Sequence, residues 1–180
     1  LEEALKISEQ VKDTVTSVLA SFWFGVALGW NCEFERAALY VQRALDINVA
    51  AKSLWGIAAI KGNLAYSCYY FQGKIDLAFQ TTSEALRIAE ESGDSFSKGI
   101  AYGSHGVSCY GKGLLGEAEK NLIKGMEYLG KTNEGAWNAN ARFHLGDTYF
   151  EMGDFSKSKE HYEKGIWVWE RNRLVPSWAN

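Results

Sequence analysis

The sequence predicts an all-α fold in which four helical hairpins stack into a solenoid, with partial repeats on either side. Three observations carry that prediction. Phe71-Gln72-Gly73-Lys74-Ile75, Gly111-Lys112-Gly113-Leu114-Leu115 and Glu151-Met152-Gly153-Asp154-Phe155 place a glycine every 40 residues, and Cys32 stands 41 before the first of them. Columns on both sides of these turns keep one register through four copies: Phe34, Ile75, Leu115 and Phe155; Ala37, Ala78, Ala118 and Ser158; Leu28, Tyr69, Cys109 and Tyr149. The chain of 180 residues carries 18 glycines and a single proline, a ratio that suits long helices closed by glycine turns better than strands and their loops.

Each element follows in order. Residues 1–9 read as the end of an earlier second helix, because Ala4-Leu5 lies 40 before Ala44-Leu45. The first full hairpin spans helices 12–31 and 34–49. Its apolar stretch from Val18 to Trp30 is interrupted by Ser21, Gly25 and Gly29 and is too short to cross a membrane. The second hairpin spans 51–72 and 75–92, where Leu77, Ala78, Thr82, Ala85, Leu86 and Ile88 repeat at helical spacing. The third spans 96–112 and 115–131, opened by Asp94-Ser95 after Gly93. Gly99, Gly103 and Gly106 lie within its first helix and follow no strand, so they serve close helix packing and not a phosphate cradle. The fourth spans 134–152 and 155–172, with Thr132-Asn133 ahead of Glu134 as its start signal. Two departures stand out. Tyr66 falls in the otherwise small column of Gly25, Gly106 and Gly146, and Cys32 takes the place of a turn glycine. No linker divides residues 1–180, so the repeats 12–49, 51–92, 96–131 and 134–172 form one array, read as a piece of a longer one. Trp167, Trp169 and Trp178 would then face missing repeats, and exposed array ends would allow self-association.

Composition narrows the chemistry. A hydrophobic fraction of 47%, with 14% aromatic residues, is enough for a sizeable core. Nineteen basic against 22 acidic residues give a net charge of −3, with no basic excess to draw nucleic acid. Cys32, Cys68 and Cys109 are too scattered for a disulfide framework or zinc cluster, which points to the cytoplasm. His105 and Cys109 stand four apart on a helix, but two ligands are not a metal site. His144 and His161 are single polar residues on repeat helices. Glu90-Glu91 and the Glu117, Glu119 pair sit on second helices as solvated charge. No catalytic residue, metal or cofactor is expected, because no nucleophile triad, phosphate loop or metalloprotease motif occurs.

Leu145-Gly146-Asp147-Thr148-Tyr149-Phe150-Glu151-Met152-Gly153-Asp154-Phe155 resembles the first helix and turn of a tetratricopeptide repeat, and the likeness covers nearly the whole chain. The period near 40 exceeds the 34 typical of that family. Long-period arrays of this kind are similar to sensor regions in bacterial signalling ATPases, nucleotide cyclases and transcription activators, and the closing Leu174-Val175-Pro176-Ser177-Trp178-Ala179-Asn180 looks like the start of a further repeat of the cyclase-associated kind. The resemblance implies a right-handed superhelix whose first helices line a concave groove that binds a protein or peptide. Carried onto this chain, the groove comprises Phe22, Val26, Trp30, Asn63, Ser67, Tyr70, Phe71, Val107, Tyr110, Phe143, Asp147 and Phe150. It lacks the Lys, Arg and Asn cluster that grips a terminal carboxylate. A ladder of Gly29, Tyr70, Tyr110 and Phe150 would run along it, unless the rings simply fill the inside of a tight curl. Two other readings stay open: a small-molecule receptor with a pocket bounded by Tyr70, Tyr110 and Phe150, and an oligomerisation module.

Overall fold

Left-handed backbone positions set the rhythm of the chain. In a computed structural model describing residues 2–131 and 135–171, Lys12, Cys32, Lys52, Gly73, Gly93, Gly113 and Gly153 all have φ between 53° and 78°. Between them run α1 (Glu2–Gln10), α2 (Thr14–Trp30), α3 (Phe34–Ala50) and α4 (Leu54–Leu64). A π-helical turn at Ala65–Tyr70 follows α4, and then come α5 (Ile75–Ser92), α6 (Ser95–Gly111), α7 (Leu115–Leu129), α8 (Gly135–Glu151) and α9 (Phe155–Arg171). No strand occurs among the described residues. The turns close with the same pair of hydrogen bonds. Gly113 N donates to Tyr110 O at 2.8 Å and Leu114 N to Cys109 O at 2.9 Å, and the pattern recurs at Cys32, Lys52, Gly73 and Gly153. This satisfies carbonyls that a helix end would otherwise leave unpaired.

Cys32 therefore fills the glycine's place and adopts its conformation (φ 61°), as Lys12 and Lys52 do between repeats. A side chain in this region carries a steric cost that glycine avoids. Lys52→Gly and Cys32→Gly should each raise unfolding free energy by about 0.5–1 kcal/mol, read as a higher Tm in thermal unfolding.

The helix expected over 51–72 is not uniform. It is α-helical over Leu54–Leu64 and then widens into the π turn. The reason is one extra residue. The left-handed positions are 20 residues apart from Lys12 to Lys52 and from Gly73 to Gly113, but 21 apart from Lys52 to Gly73. A π turn absorbs a single insertion without breaking the helix. Counted from the capping residues Asp13, Ser53 and Asp94, the small column runs Gly25, Ala65, Gly106. Ala65 is fully buried in that column, and Tyr66 is the inserted residue, not a substitute for glycine.

The remaining starts follow capping chemistry. Asp13 accepts from Thr16 N at 3.1 Å and Asp94 from Ser97 N at 2.8 Å. Thr132-Asn133 and Trp178 lie outside the described residues. Helix α1 packs on α2, with Leu5 buried and Ser8 Oγ 2.9 Å from Ser17 Oγ. At the other end Ile166 and Trp167 are exposed, whereas Trp169 is partly covered by Phe143.

Within hairpins, α2 packs on α3, α6 on α7 and α8 on α9. Between hairpins, α2 touches the π turn, α4 touches α6, and α6 touches α8, while second helices lack comparable contact with one another. The layer that packs on itself lies on the inside of the bend. Its core alternates small and large groups: Leu28, Ala37, Val41, Ala44, Leu45, Ile60, Leu64 and Cys68 in one cluster, Val107, Cys109, Ala118, Leu122, Ala141, Leu145 and Tyr149 in another.

Candidate functional site

The bend is tight enough for side chains to meet across a skipped repeat. Tyr66, on the π turn of the second hairpin, brings its hydroxyl within 3.2 Å of His144 Nε2 on α8 of the fourth. Both Tyr66 and Tyr70 meet the His144 ring edge-on, with centroids 5.6 and 6.2 Å away. His144 Nδ1 lies 3.2 Å from Asp147 Oδ2. Tyr162 donates to Asp147 Oδ1 at 2.7 Å. Burial would raise the Asp147 carboxyl, but its contacts with His144 and Tyr162 outweigh burial and hold it below the usual carboxylate range. The phenols move the other way. Burial, with smaller contributions from Tyr110 and Asp147, pushes Tyr70 up to about 12; burial also raises Tyr66 and Tyr110. All three remain protonated donors at neutral pH. The Tyr70 and Tyr110 hydroxyls have no hydrogen-bond partner among the described residues.

The twelve groove residues divide by depth. Trp30, Phe71 and Phe150 are exposed at 62%, 50% and 55%. Phe22, Tyr70, Tyr110, Phe143 and Asp147 are half-buried. Val26, Asn63, Ser67 and Val107 are buried, so they support the inner wall instead of presenting surface to a partner. The ladder of Gly29, Tyr70, Tyr110 and Phe150 is likewise graded: Gly29 is buried, the two tyrosines are half-covered and Phe150 is open. Phe71 packs against Tyr66 and Tyr70, and Phe150 against Phe155. Some inner rings thus fill the curl while others face outward from it.

A pocket does open on the inner layer, at the other end of the first helices. A cavity of about 170 Å³ is walled by Val18, Leu19, Phe22 and Trp23 of α2, Trp55, Ala59, Ile60 and Asn63 of α4, Phe96 and Ile100 of α6, and Trp137 of α8. Asn48 and Gly56 complete it. Tyr70, Tyr110 and Phe150 take no part in it. Of the groove residues only Phe22 and Asn63 reach it. A sequence signal existed: Trp55 and Phe96 both stand two residues past a helix-capping residue, Ser53 and Asp94, and make an aromatic ladder of their own.

Several of the remaining polar candidates are structurally engaged, although His161 Nδ1 is buried without a hydrogen-bond partner among the described residues. His105 Nδ1 lies 3.0 Å from Thr82 Oγ1, and burial lowers its pKa. Burial pushes the Cys109 thiol up to about 11, which suppresses thiolate chemistry. Glu90 accepts from the Tyr102 hydroxyl at 2.6 Å and pairs with Lys98 at 2.9 Å; Glu119 accepts from Tyr149 at 2.6 Å. Among the described residues no three His, Cys, Asp or Glu side chains gather where they could hold a metal, and no helix is long and apolar enough to cross a membrane.

No family model and no curated protein matches the sequence. Solved structures do match the fold. BtubC (BKLC) from P. vanneervenii aligns over 89% of this chain and 66% of its own, with 19% identity and a TM-score of 0.60. The apo form of RapI aligns over 91% of this chain and 45% of its own, at 14% identity and a TM-score of 0.65. A putative kinesin light chain from Podosopora anserina with nearly identical TPR-like repeats aligns over 97% and 85%, at 14% identity and a TM-score of 0.59. The chain thus spans two thirds of the first and less than half of the second. These likenesses show a tetratricopeptide-type solenoid, and at such identities they show the fold alone.

Proposed function

We propose that this chain is a protein-interaction scaffold that holds a segment of a partner protein along its inner face. The observation that carries the reading is the pairing of exposed rings with idle donors. Trp30, Phe71 and Phe150 offer apolar surface, and the Tyr70 and Tyr110 hydroxyls stand without partners among the described residues. Apolar side chains of a bound segment would rest on the rings, and its backbone carbonyls would accept from the phenols. Exposed aromatic surface of this kind marks an interaction site more often than a solvated face. The resemblance to long-period arrays supports a sensor or regulatory role within a larger signalling polypeptide in the cytoplasm, one of binding and not catalysis.

The test uses a peptide selected against the whole chain from a random display library. Phe71→Ala and Tyr110→Ala should each weaken it by about 1–3 kcal/mol, the range of a moderate to strong anchor. Leu39→Ala, on the 71%-exposed outer side of α3, should leave affinity unchanged. Thermal unfolding of each variant separates the two roles. A large stability loss in Tyr110→Ala with unaltered affinity would assign that ring to the core.

A further inference from the structure

The cavity at the start of the first helices has features that a peptide groove does not require. Its walls come from all four hairpins, with Phe22 and Trp23 of the first and Trp137 of the fourth on the same space. Among the described residues not one charged side chain lines it. At about 170 Å³ it is smaller than the pockets that enclose drug-sized ligands and matches a single aromatic ring in volume. It is open to solvent on one side, where Leu19, Trp23 and Trp55 are exposed.

Two buried amides, Asn48 and Asn63, interrupt this lining. Asn63 is 1% exposed and accepts from Ser67 Oγ at 3.2 Å through Oδ1. Its amide nitrogen has no partner among the described residues. That nitrogen is not among the fully enclosed atoms left without a partner, so it keeps a small accessible surface, and a donor on so little-exposed a side chain is normally matched. The other amide on the wall is already committed: Asn48 Nδ2 donates to Ala44 O at 2.9 Å. Asn63 Nδ2 is therefore the amide donor that this largely apolar lining leaves uncommitted.

We infer that this cavity binds a small, neutral, single-ring aromatic molecule carrying one oxygen acceptor, such as a phenol. The ring fills the space among Phe22, Trp23, Trp55, Phe96 and Trp137, and its oxygen accepts from Asn63 Nδ2. Occupancy ties the first hairpin to the fourth. The site is separate from the exposed rings at Trp30, Phe71 and Phe150, and its failure would leave the partner-binding reading untouched.

The probes are p-cresol and p-xylene, which share a shape and differ by a hydroxyl for a methyl. In titrations of the wild-type chain followed by NMR of the tryptophan indole N–H signals, p-cresol should saturate and shift Trp23, Trp55 and Trp137. Trp30 and Trp167 should stay still. The wild type should bind p-cresol more tightly than p-xylene, and Asn63→Leu should reverse that order, a swing of about fivefold or more for a lost hydrogen bond. Ala59→Phe, which fills the space, should weaken p-cresol at least tenfold. Absence of saturable p-cresol binding, shifts outside those three tryptophans, or a wild-type preference for p-xylene would each overturn the assignment. The tryptophan shifts need no variant, so the inference stands or falls even if Ala59→Phe does not fold.

Discussion

Leu122→Ala should lower the unfolding free energy by about 3–4 kcal/mol. Leu122 is fully buried on α7, at the centre of the cluster formed by Val107, Cys109, Ala118, Ala141, Leu145 and Tyr149. That cluster joins the third hairpin to the fourth. Removing a buried leucine forfeits its transfer free energy and leaves a cavity, a combined cost of about 2–5 kcal/mol. The upper half of that range applies because fixed helices on several sides limit collapse. A solenoid adds a second signature. Each hairpin is held mainly by its neighbours, so loosening one junction lets the array unfold in parts. Chemical denaturation of Leu122→Ala should show a lower midpoint and a broader transition than the wild type.

Gly125→Ala should cost about 2–3 kcal/mol although it adds only a methyl group. A Cβ at this position would lie 2.8 Å from Gly103 N, 3.1 Å from Gly103 Cα and 3.1 Å from Gly99 O. All three atoms are backbone, so no side chain can turn aside, and α6 must move off α7. Overpacking of this kind typically costs 1–3 kcal/mol. Gly103→Ala provides the control from the facing helix. A Cβ there meets nothing within 4 Å, and the helix gains from replacing glycine, so stability should rise by about 0.5–1 kcal/mol. Two glycines on facing helices thus give opposite signs when thermal unfolding of the pair is compared.

Much of this architecture was legible in the sequence, and the exceptions have physical reasons. Gly73, Gly113 and Gly153 announced the turns because few other residues sit comfortably at positive φ. Cys32 could be placed by spacing alone and takes the same conformation. The π turn was harder to read. Aligning repeats on their turns puts Tyr66 in the small column, whereas aligning them on their caps puts Ala65 there. Only the change from 20 to 21 residues between left-handed positions separates the two, and a helix does not advertise where it absorbs an extra residue. The groove was legible as a set of positions but not by depth. Val26, Asn63, Ser67 and Val107 share helical register with exposed neighbours, and the tight bend buries them. The cavity drew on the opposite ends of the same helices, where Trp55, Phe96 and Trp137 converge only through curvature, which no single repeat encodes.

The most direct test of the account is amide hydrogen exchange on the whole chain with and without a saturating selected peptide. Partner binding on the inner face predicts added protection concentrated in the π turn Ala65–Tyr70 and the last turns of α2, α6 and α8, around Trp30, Tyr110 and Phe150, with α3, α5, α7 and α9 little changed. Protection confined to those four second helices, with the π turn and the neighbouring helix ends unaltered, would contradict it.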